Sequence, residues 1–178
     1  MSEFSESYHL RTARAQDAVE LLRRAGRKGY VFPPAAGWVT FVAEGSEFLP
    51  DEAIVEAAQH PLLHYMCAED HGWGFTLLDG TRTVCRYLCE WTDDMAVDDT
   101  GYFRAALLRY VPSAQPALLD EFEQLLHPDD MDQVMEADPA KLFAQALGLQ
   151  HFDWVAYDYV ARDMLEAPEA VAEVIAVE

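Results

Sequence analysis

The spacing of apolar residues in the first 60 positions predicts strands alternating with helices. YHLRT at 8–12 indicates a short strand, and residues 13–26 carry apolar side chains on one stripe at helical spacing. Two β-rich runs, 30–32 and 38–43, are separated by prolines and a glycine, which predicts a hairpin. Residues 50–60 then predict a second helix, ended by the proline that follows.

Three further strand candidates follow that helix, at 62–69, 74–79 and 83–91. The connections DHG and GTR have the composition of tight turns, so an antiparallel meander is the economical interpretation. The order strand, helix, strand, strand, helix, strand is that of a ferredoxin-like split βαβ unit. We therefore expect an α+β fold with ferredoxin-like βαββαβ order, extended to an antiparallel sheet of about six strands.

The second half of the chain is rich in predicted helix and is expected to pack on the sheet. Its helical segments are 102–111, 116–126, 130–137 and 139–149. The stretch 151–163, HFDWVAYDYVARD, has a density of aromatic and β-branched residues that favours a strand. If that strand joins the sheet, residues 1–178 form a single α+β domain, and otherwise 100–178 form a helical subdomain.

The charge of the chain is strongly negative and unevenly distributed. There are 32 acids and 12 bases, a formal net charge of −20. Residues 1–30 hold six bases and four acids, so the other 148 residues carry −22. Such a field repels nucleic acid and anionic lipid, and it would steer a basic protein toward the surface. Solubility alone is the competing interpretation of the same charge.

The composition is that of a folded, cytoplasmic protein. Half of the residues are hydrophobic, and no apolar run approaches the roughly 20 residues that a membrane-spanning helix needs. The start MSEFSESYHLRT is acidic where a secretory signal would be basic and then apolar. Three cysteines at irregular spacing are expected to be small buried thiols in a reducing compartment.

Residues 69–75, EDHGWGF, place reactive side chains next to one another. A histidine beside a carboxylate is the usual general-base arrangement, which makes His64, Asp70 and His71 candidates, with Trp73 as one wall of the same site. Neighbouring residues of a strand point in opposite directions, however, and Asp and Gly are ordinary turn residues. A hairpin turn with solvent-facing acids is therefore the competing interpretation.

Metal and cofactor sites are not expected. His64 and Cys67 fall on opposite faces of a strand, and Cys85 and Cys89 stand about 13 Å apart on an extended strand at roughly 3.3 Å per residue. The acidic segments DDMAVDD and HPDDMD lack the calcium-loop pattern. The first is expected to be a solvated surface loop that offers its acids to a partner: Asp93, Asp94, Asp98 and Asp99.

Two hypotheses from different classes follow. The sequence contains no GxSxG elbow, phosphate loop or GxGxxG, so covalent or nucleotide-dependent catalysis has no motif. The first hypothesis is a non-catalytic protein-binding module, of the antagonist or immunity type, for a basic protein partner. The alternative is a small metal- or ligand-binding protein, or a hydrolase, centred on the hairpin at 64–73.

Overall fold

An antiparallel sheet of eight strands organises the chain in the computed structural model, which describes residues 4–45, 47–92 and 94–178. The strands are β1 (Phe4–Leu10), β2 (Gly29–Val31), β3 (Val39–Ala43), β4 (Leu62–Ala68), β5 (Gly72–Asp79), β6 (Arg82–Glu90), β7 (Ala96–Asp98) and β8 (Ile175–Val177). They lie in the order β7-β6-β5-β4-β1-β3-β2-β8. Every neighbouring pair is antiparallel.

Seven helices occur in the described ranges. They are α1 (Ala15–Ala25), α2 (Glu52–Ala57), α3 (Arg104–Leu107), α4 (Pro116–Glu123), α5 (Met131–Ala137), α6 (Pro139–Ala146) and α7 (Tyr157–Glu166). In α1, Asp17 lies in the first turn and Arg23 and Arg24 in the last, as suits the helix dipole, and Gly26 ends the helix at φ 63°. None of the helices described is long and apolar enough to cross a bilayer.

The structure confirms the α+β class and the antiparallel sheet, but the sheet has eight strands where about six were expected. The two additional strands are the short β7 and β8 at the edges. The expected surface loop around DDMAVDD is wrong for Ala96–Asp98, because these residues pair with β6. Asp93 lies outside the described residues.

The strand expected at 151–163 is also wrong, because Tyr157–Glu166 is helix α7. Tyr157, Val160 and Met164 recur at helical spacing and pack against the edge of the sheet around Val42. Tyr157 lies 5.2 Å from Tyr30, centroid to centroid. The aromatic density that favoured a strand therefore serves one buried face of a helix.

The two faces of the sheet carry different helices. The face that we call the α1 face bears Tyr8, Leu10 and Phe41, which pack against α1 and α2. Arg27 holds Asp51 at 2.8 Å, and Asp51 caps α2 by accepting a hydrogen bond from the Ile54 backbone N–H. These contacts cover one part of the face and leave the surface of β4–β6 beyond them open to the cleft described below.

The opposite face, which we call the α6 face, holds an aromatic core between the sheet and the helices α3, α4 and α6. Phe75 of β5 stacks on Phe143 of α6 with ring centroids 3.9 Å apart, and Phe122 of α4 lies 5.3 Å from Phe143. The Trp38 indole N–H donates to the Leu147 carbonyl at the end of α6. The helix-rich half is thus joined to the sheet by a continuous apolar layer.

Candidate functional site

The turn at residues 69–71 joins β4 to β5, so EDHGWGF is a hairpin turn followed by the start of a strand. Asp70 is exposed in this turn. Gly72 follows at φ 144°, and a Cβ there would lie 2.3 Å from the Cys89 carbonyl oxygen. Glycine is therefore required at this position by the close approach of β6 as well as by the backbone conformation.

His64 and His71 line a cleft of about 380 Å³ on the α1 face. Its floor is formed by β4, β5 and β6, and one wall is formed by residues 47–50. Phe48 in that wall has φ 56°, unusual for a residue with a side chain, and its ring lies 6.1 Å from the His71 ring. The structure therefore brings together two of the residues expected in one site.

His64 forms a buried pair with Glu6 of β1. Its Nε2 lies 2.9 Å from the Glu6 Oε1, and the two residues are 2 % and 7 % exposed. The second carboxylate oxygen, Oε2, is buried and has no hydrogen-bond partner among the described residues. A buried carboxylate oxygen without a hydrogen bond destabilises the folded state, and few buried polar groups lack a partner. Glu6 is therefore a candidate functional residue.

Sequence reasoning missed Glu6 because the predicted first strand began two residues later. The signal was nevertheless present, since Glu6, Tyr8 and Leu10 alternate with Ser7 and His9 along SESYHL. Only the pairing of β1 with β4 shows that the Glu6 side chain meets that of His64. This register places residues 58 positions apart in hydrogen-bond contact.

The rest of the cleft combines apolar side chains with polar groups of both charges. Arg86 lies on its floor and forms an ion pair with Asp98, at 2.9 Å from Nη1 to Oδ2. Thr76 and Glu90 also line the cleft, Thr76 nearly buried and Glu90 exposed. The cleft therefore offers an imidazole oriented by a carboxylate, a guanidinium and a hydroxyl within one cavity.

Trp73 lies on the α6 face, the face opposite His64, and is 1 % exposed. Contrary to the expectation from sequence, Trp73 and His64 do not share a cavity. Its ring contacts Tyr87 at 5.0 Å and Phe122 at 5.8 Å, and its buried Nε1–H has no acceptor among the described residues. A buried indole N–H without a partner costs about 1–3 kcal/mol.

Trp73 also lines a pocket of about 190 Å³, which we call the aromatic pocket. Four more aromatic side chains line it: Tyr65, Trp91, Phe152 and Trp154. Three carboxylates and one ammonium group belong to it as well: Glu69, Asp138, Asp153 and Lys141. Its walls come from segments spread between Ser5 and Trp154, so its composition could not be read from sequence spacing.

Of the acids expected at a partner surface, Asp94, Asp98 and Asp99 lie at the β7 edge of the sheet. Asp94 is exposed, and Asp98 accepts hydrogen bonds from the Thr100 backbone and hydroxyl, which together lower the pKa of its carboxyl. Asp99 lies 3.1 Å from His127, just beyond α4. The acidic segment after β6 therefore meets the acidic segment of the helical layer.

A serine–histidine pair elsewhere in the sheet is not accessible. The His9 Nε2 forms a hydrogen bond with the Ser7 hydroxyl at 3.0 Å, and its Nδ1 forms one with the Thr40 hydroxyl at 2.9 Å. The ring is fully buried on the α6 face. Burial, and then the nearby His151 and His64, lower its pKa from 6.5 to about 3. His9 is thus neutral at ordinary pH, and its side chain links β1 to β3.

The thiols and possible metal ligands show no reactive grouping. Burial, reinforced by Asp138, Asp153 and Glu69, raises the pKa of the Cys67 thiol to about 12. Burial likewise raises the pKa of Cys85 to about 11. Across residues 4–45, 47–92 and 94–178, no three His, Cys, Asp or Glu side chains are placed to hold one metal ion.

Three surfaces can therefore bind another molecule. The cleft around His64 offers acid–base groups, the aromatic pocket around Trp73 offers ring faces with carboxylates, and the β7 edge offers a group of carboxylates. No known protein-family model, no curated protein and no solved structure matches this chain at a significant level.

Proposed function

We propose that the protein is a non-catalytic binding module that docks a basic protein partner, in the manner of an antagonist or immunity protein. The observation that carries this proposal is the contact between Asp99 and His127, which brings the acidic segment after β6 against the one after α4. We call the exposed acids of these segments and the adjoining helices the acidic edge: Asp94, Glu121, Asp129, Asp132 and Glu136.

The charge balance of this region supports the proposal. Residues 93–136 contain 11 acids and two arginines, a formal net charge of −9 in 44 residues. Of the two bases, Arg104 already pairs with Asp120 and Glu123. The exposed acids of the acidic edge can attract a basic surface and speed its approach, while they repel nucleic acid and anionic membranes.

Several finer statements belong to the same proposal. Residues 4–68 would be a ferredoxin-like unit, supported by the element order of β1 to β4 and by their arrangement as β4-β1-β3-β2. Residues 1–178 would fold as a single domain, supported by the shared apolar layer of the α6 face. We place the protein in the cytoplasm, where its unpaired cysteines would stay reduced.

A charge-neutralised variant tests the docking surface. The variant Glu121→Gln/Asp132→Asn/Glu136→Gln removes three acids of the acidic edge, and Glu56→Gln/Glu169→Gln/Glu173→Gln removes three exposed acids elsewhere. Immobilised wild-type protein and control variant should retain the same basic protein from lysate at low salt. With the purified partner, the edge variant should associate about tenfold more slowly, and added salt should narrow this difference.

The outcomes of this experiment separate docking from solubility. If all three forms retain the same proteins, or if none retains a basic protein, the negative charge serves solubility and not docking. Equal loss in both variants would show attraction by net charge without a defined surface.

A second candidate function is supported by the Glu6–His64 pair. Here the protein binds a small organic ligand, or hydrolyses one, in the cleft that His64 and His71 line. Glu6 orients the imidazole, which could then accept or donate a proton at a bound ligand. Arg86 supplies a positive charge on the same floor.

A thermal-shift screen of metabolites tests this second candidate. A ligand of the cleft stabilises the folded state by mass action, so it should raise the unfolding temperature of the wild-type protein. This increase in unfolding temperature should disappear in His64→Gln and persist in His60→Gln. His60 is an exposed histidine that lies beside Asp17, outside the cleft. Increments that are equal in both variants would contradict binding at His64.

A further inference from the structure

The aromatic pocket on the α6 face has features that core packing does not explain. Met135 and Trp154 stand at its lining with 55 % and 48 % of their surface exposed, although both are large apolar residues. Exposed apolar side chains around a concave site are typical of binding surfaces. Beneath them, Trp73 is buried, and its indole N–H has no acceptor in the part of the chain that the structure describes.

The backbone holds two lining residues in an unusual conformation. Asp138 has φ 46° and Trp154 has φ 53°, in the left-handed region that residues with side chains seldom adopt. Asp138 also caps α6 by accepting a hydrogen bond from the Lys141 backbone N–H. The Glu6 backbone N–H donates to the Val155 carbonyl, which ties the chain next to Trp154 to β1.

The charge of the pocket is negative. Glu69, Asp138 and Asp153 line it together with one base, Lys141, which leaves an excess of two negative charges at the lining. After burial, the negative charges of these carboxylates also raise the pKa of Cys67, which lines the same pocket. An anionic ligand would therefore be repelled, whereas a cation would be attracted to both the acids and the ring faces.

We propose that the aromatic pocket binds a small organic ammonium compound, whose cationic group is held by the aromatic faces and by the carboxylates of Asp138 and Asp153. Aromatic rings combined with acids are the usual recognition chemistry for alkylated ammonium groups. The size is suitable, since a cavity of about 150 Å³ holds benzene and this pocket has about 190 Å³ and an open side. An oxygen on the ligand can serve as the missing acceptor for Trp73.

This inference stands independently of the acidic edge, because none of the acids that define that edge lines the pocket. The two can therefore fail separately. A protein that binds no basic partner can still bind an ammonium compound, and the reverse also holds.

The test uses choline and its uncharged carbon isostere, dimethylbutanol, followed by the tryptophan indole signals in nitrogen–proton NMR spectra. The chain has four tryptophans. Choline should shift the indole signals of Trp73 and Trp154 and leave that of Trp38, whose N–H is bonded to the Leu147 carbonyl, unchanged. Dimethylbutanol has nearly the same shape without the charge, so it should bind about tenfold more weakly. Sodium chloride at equal ionic strength should cause no shift.

A double variant tests whether Asp138 and Asp153 recognise the positive charge of the ligand. Asp138→Asn/Asp153→Asn removes two carboxylates, while asparagine retains the helix cap and tolerates the left-handed conformation. Choline affinity should fall about tenfold in this variant. It should be unchanged in Asp79→Asn, at the far end of the β5–β6 hairpin. Equal binding of choline and dimethylbutanol, no choline shift at Trp73 and Trp154, or full affinity in the double variant would each overturn the proposal.

Discussion

Replacing Phe143 by alanine is expected to lower the free energy of unfolding by about 4–5 kcal/mol. Phe143 lies on α6, is 0 % exposed and stacks on Phe75 of β5 at 3.9 Å. Phe122 at 5.3 Å and Trp73 at 6.2 Å enclose its other sides. Truncation of a buried phenylalanine to alanine costs about 3–5 kcal/mol, and loss of a stacked pair places the cost in the upper part of that range.

Urea unfolding of the wild-type and variant proteins, followed by tryptophan fluorescence and by far-ultraviolet circular dichroism, measures this loss. Because Phe143 joins the helical layer to the sheet, both signals should shift to the same lower midpoint with the slope unchanged. Leu165→Ala on α7, at an 86 % exposed position, is the control and should change stability by less than about 0.5 kcal/mol.

Two results would refute the reasoning about Phe143. A loss below about 1.5 kcal/mol would mean that the ring is not enclosed as described. Separate transitions for fluorescence and circular dichroism, with only the second affected, would mean that the helical layer unfolds apart from the sheet. The second result would favour a helical subdomain over a single domain.

Three further predictions concern the backbone, a buried base and the thiols. Gly72→Ala should destabilise by more than about 2 kcal/mol, whereas Gly45→Ala, where a Cβ meets nothing within 4 Å, should cost about 1 kcal/mol in the same urea assay. Unfolded His9 binds a proton below pH 6.5 that folded His9 excludes down to about pH 3, so stability should fall as the pH falls through that window. His9→Gln should lower this slope by up to about 1.4 kcal/mol per pH unit, and equal slopes would contradict the burial of a neutral ring. Cys67 and the other thiols should react with a disulfide reagent at mildly alkaline pH only after unfolding, and fast reaction of native Cys67 would contradict its raised pKa.

The helices and strands that could be predicted from the sequence are the long ones, in which many apolar residues repeat at helical or strand spacing. The stripe of α1 and the alternation of β4 to β6 are long enough to be recognised from apolar spacing alone. The strands β7 and β8 have three residues each, too few to show a period. The aromatic residues of α7 are of types that favour a strand. Only their contact with Tyr30 and Val42 shows that their helical spacing determines the structure of this segment.

The candidate sites depend on register and packing, which a single sequence does not contain. Strand alternation correctly separated His64 from Cys67, but it could not show that Glu6 pairs with His64 across β1 and β4. Trp73 was associated with His64 because they are close in sequence, whereas β5 turns its ring to the opposite face. The aromatic pocket is lined by residues of β4, β5, α5 and α6, so no local sequence motif predicts it.

The two short edge strands have a consequence for how this protein meets other molecules. A long exposed edge would present a row of unpaired backbone groups onto which a further strand could assemble, in a partner or in another copy. Here β7 and β8 offer only three residues each. Recognition must therefore rely on side chains, and loss of β8 would uncover Gly29–Val31 and invite self-association at high concentration.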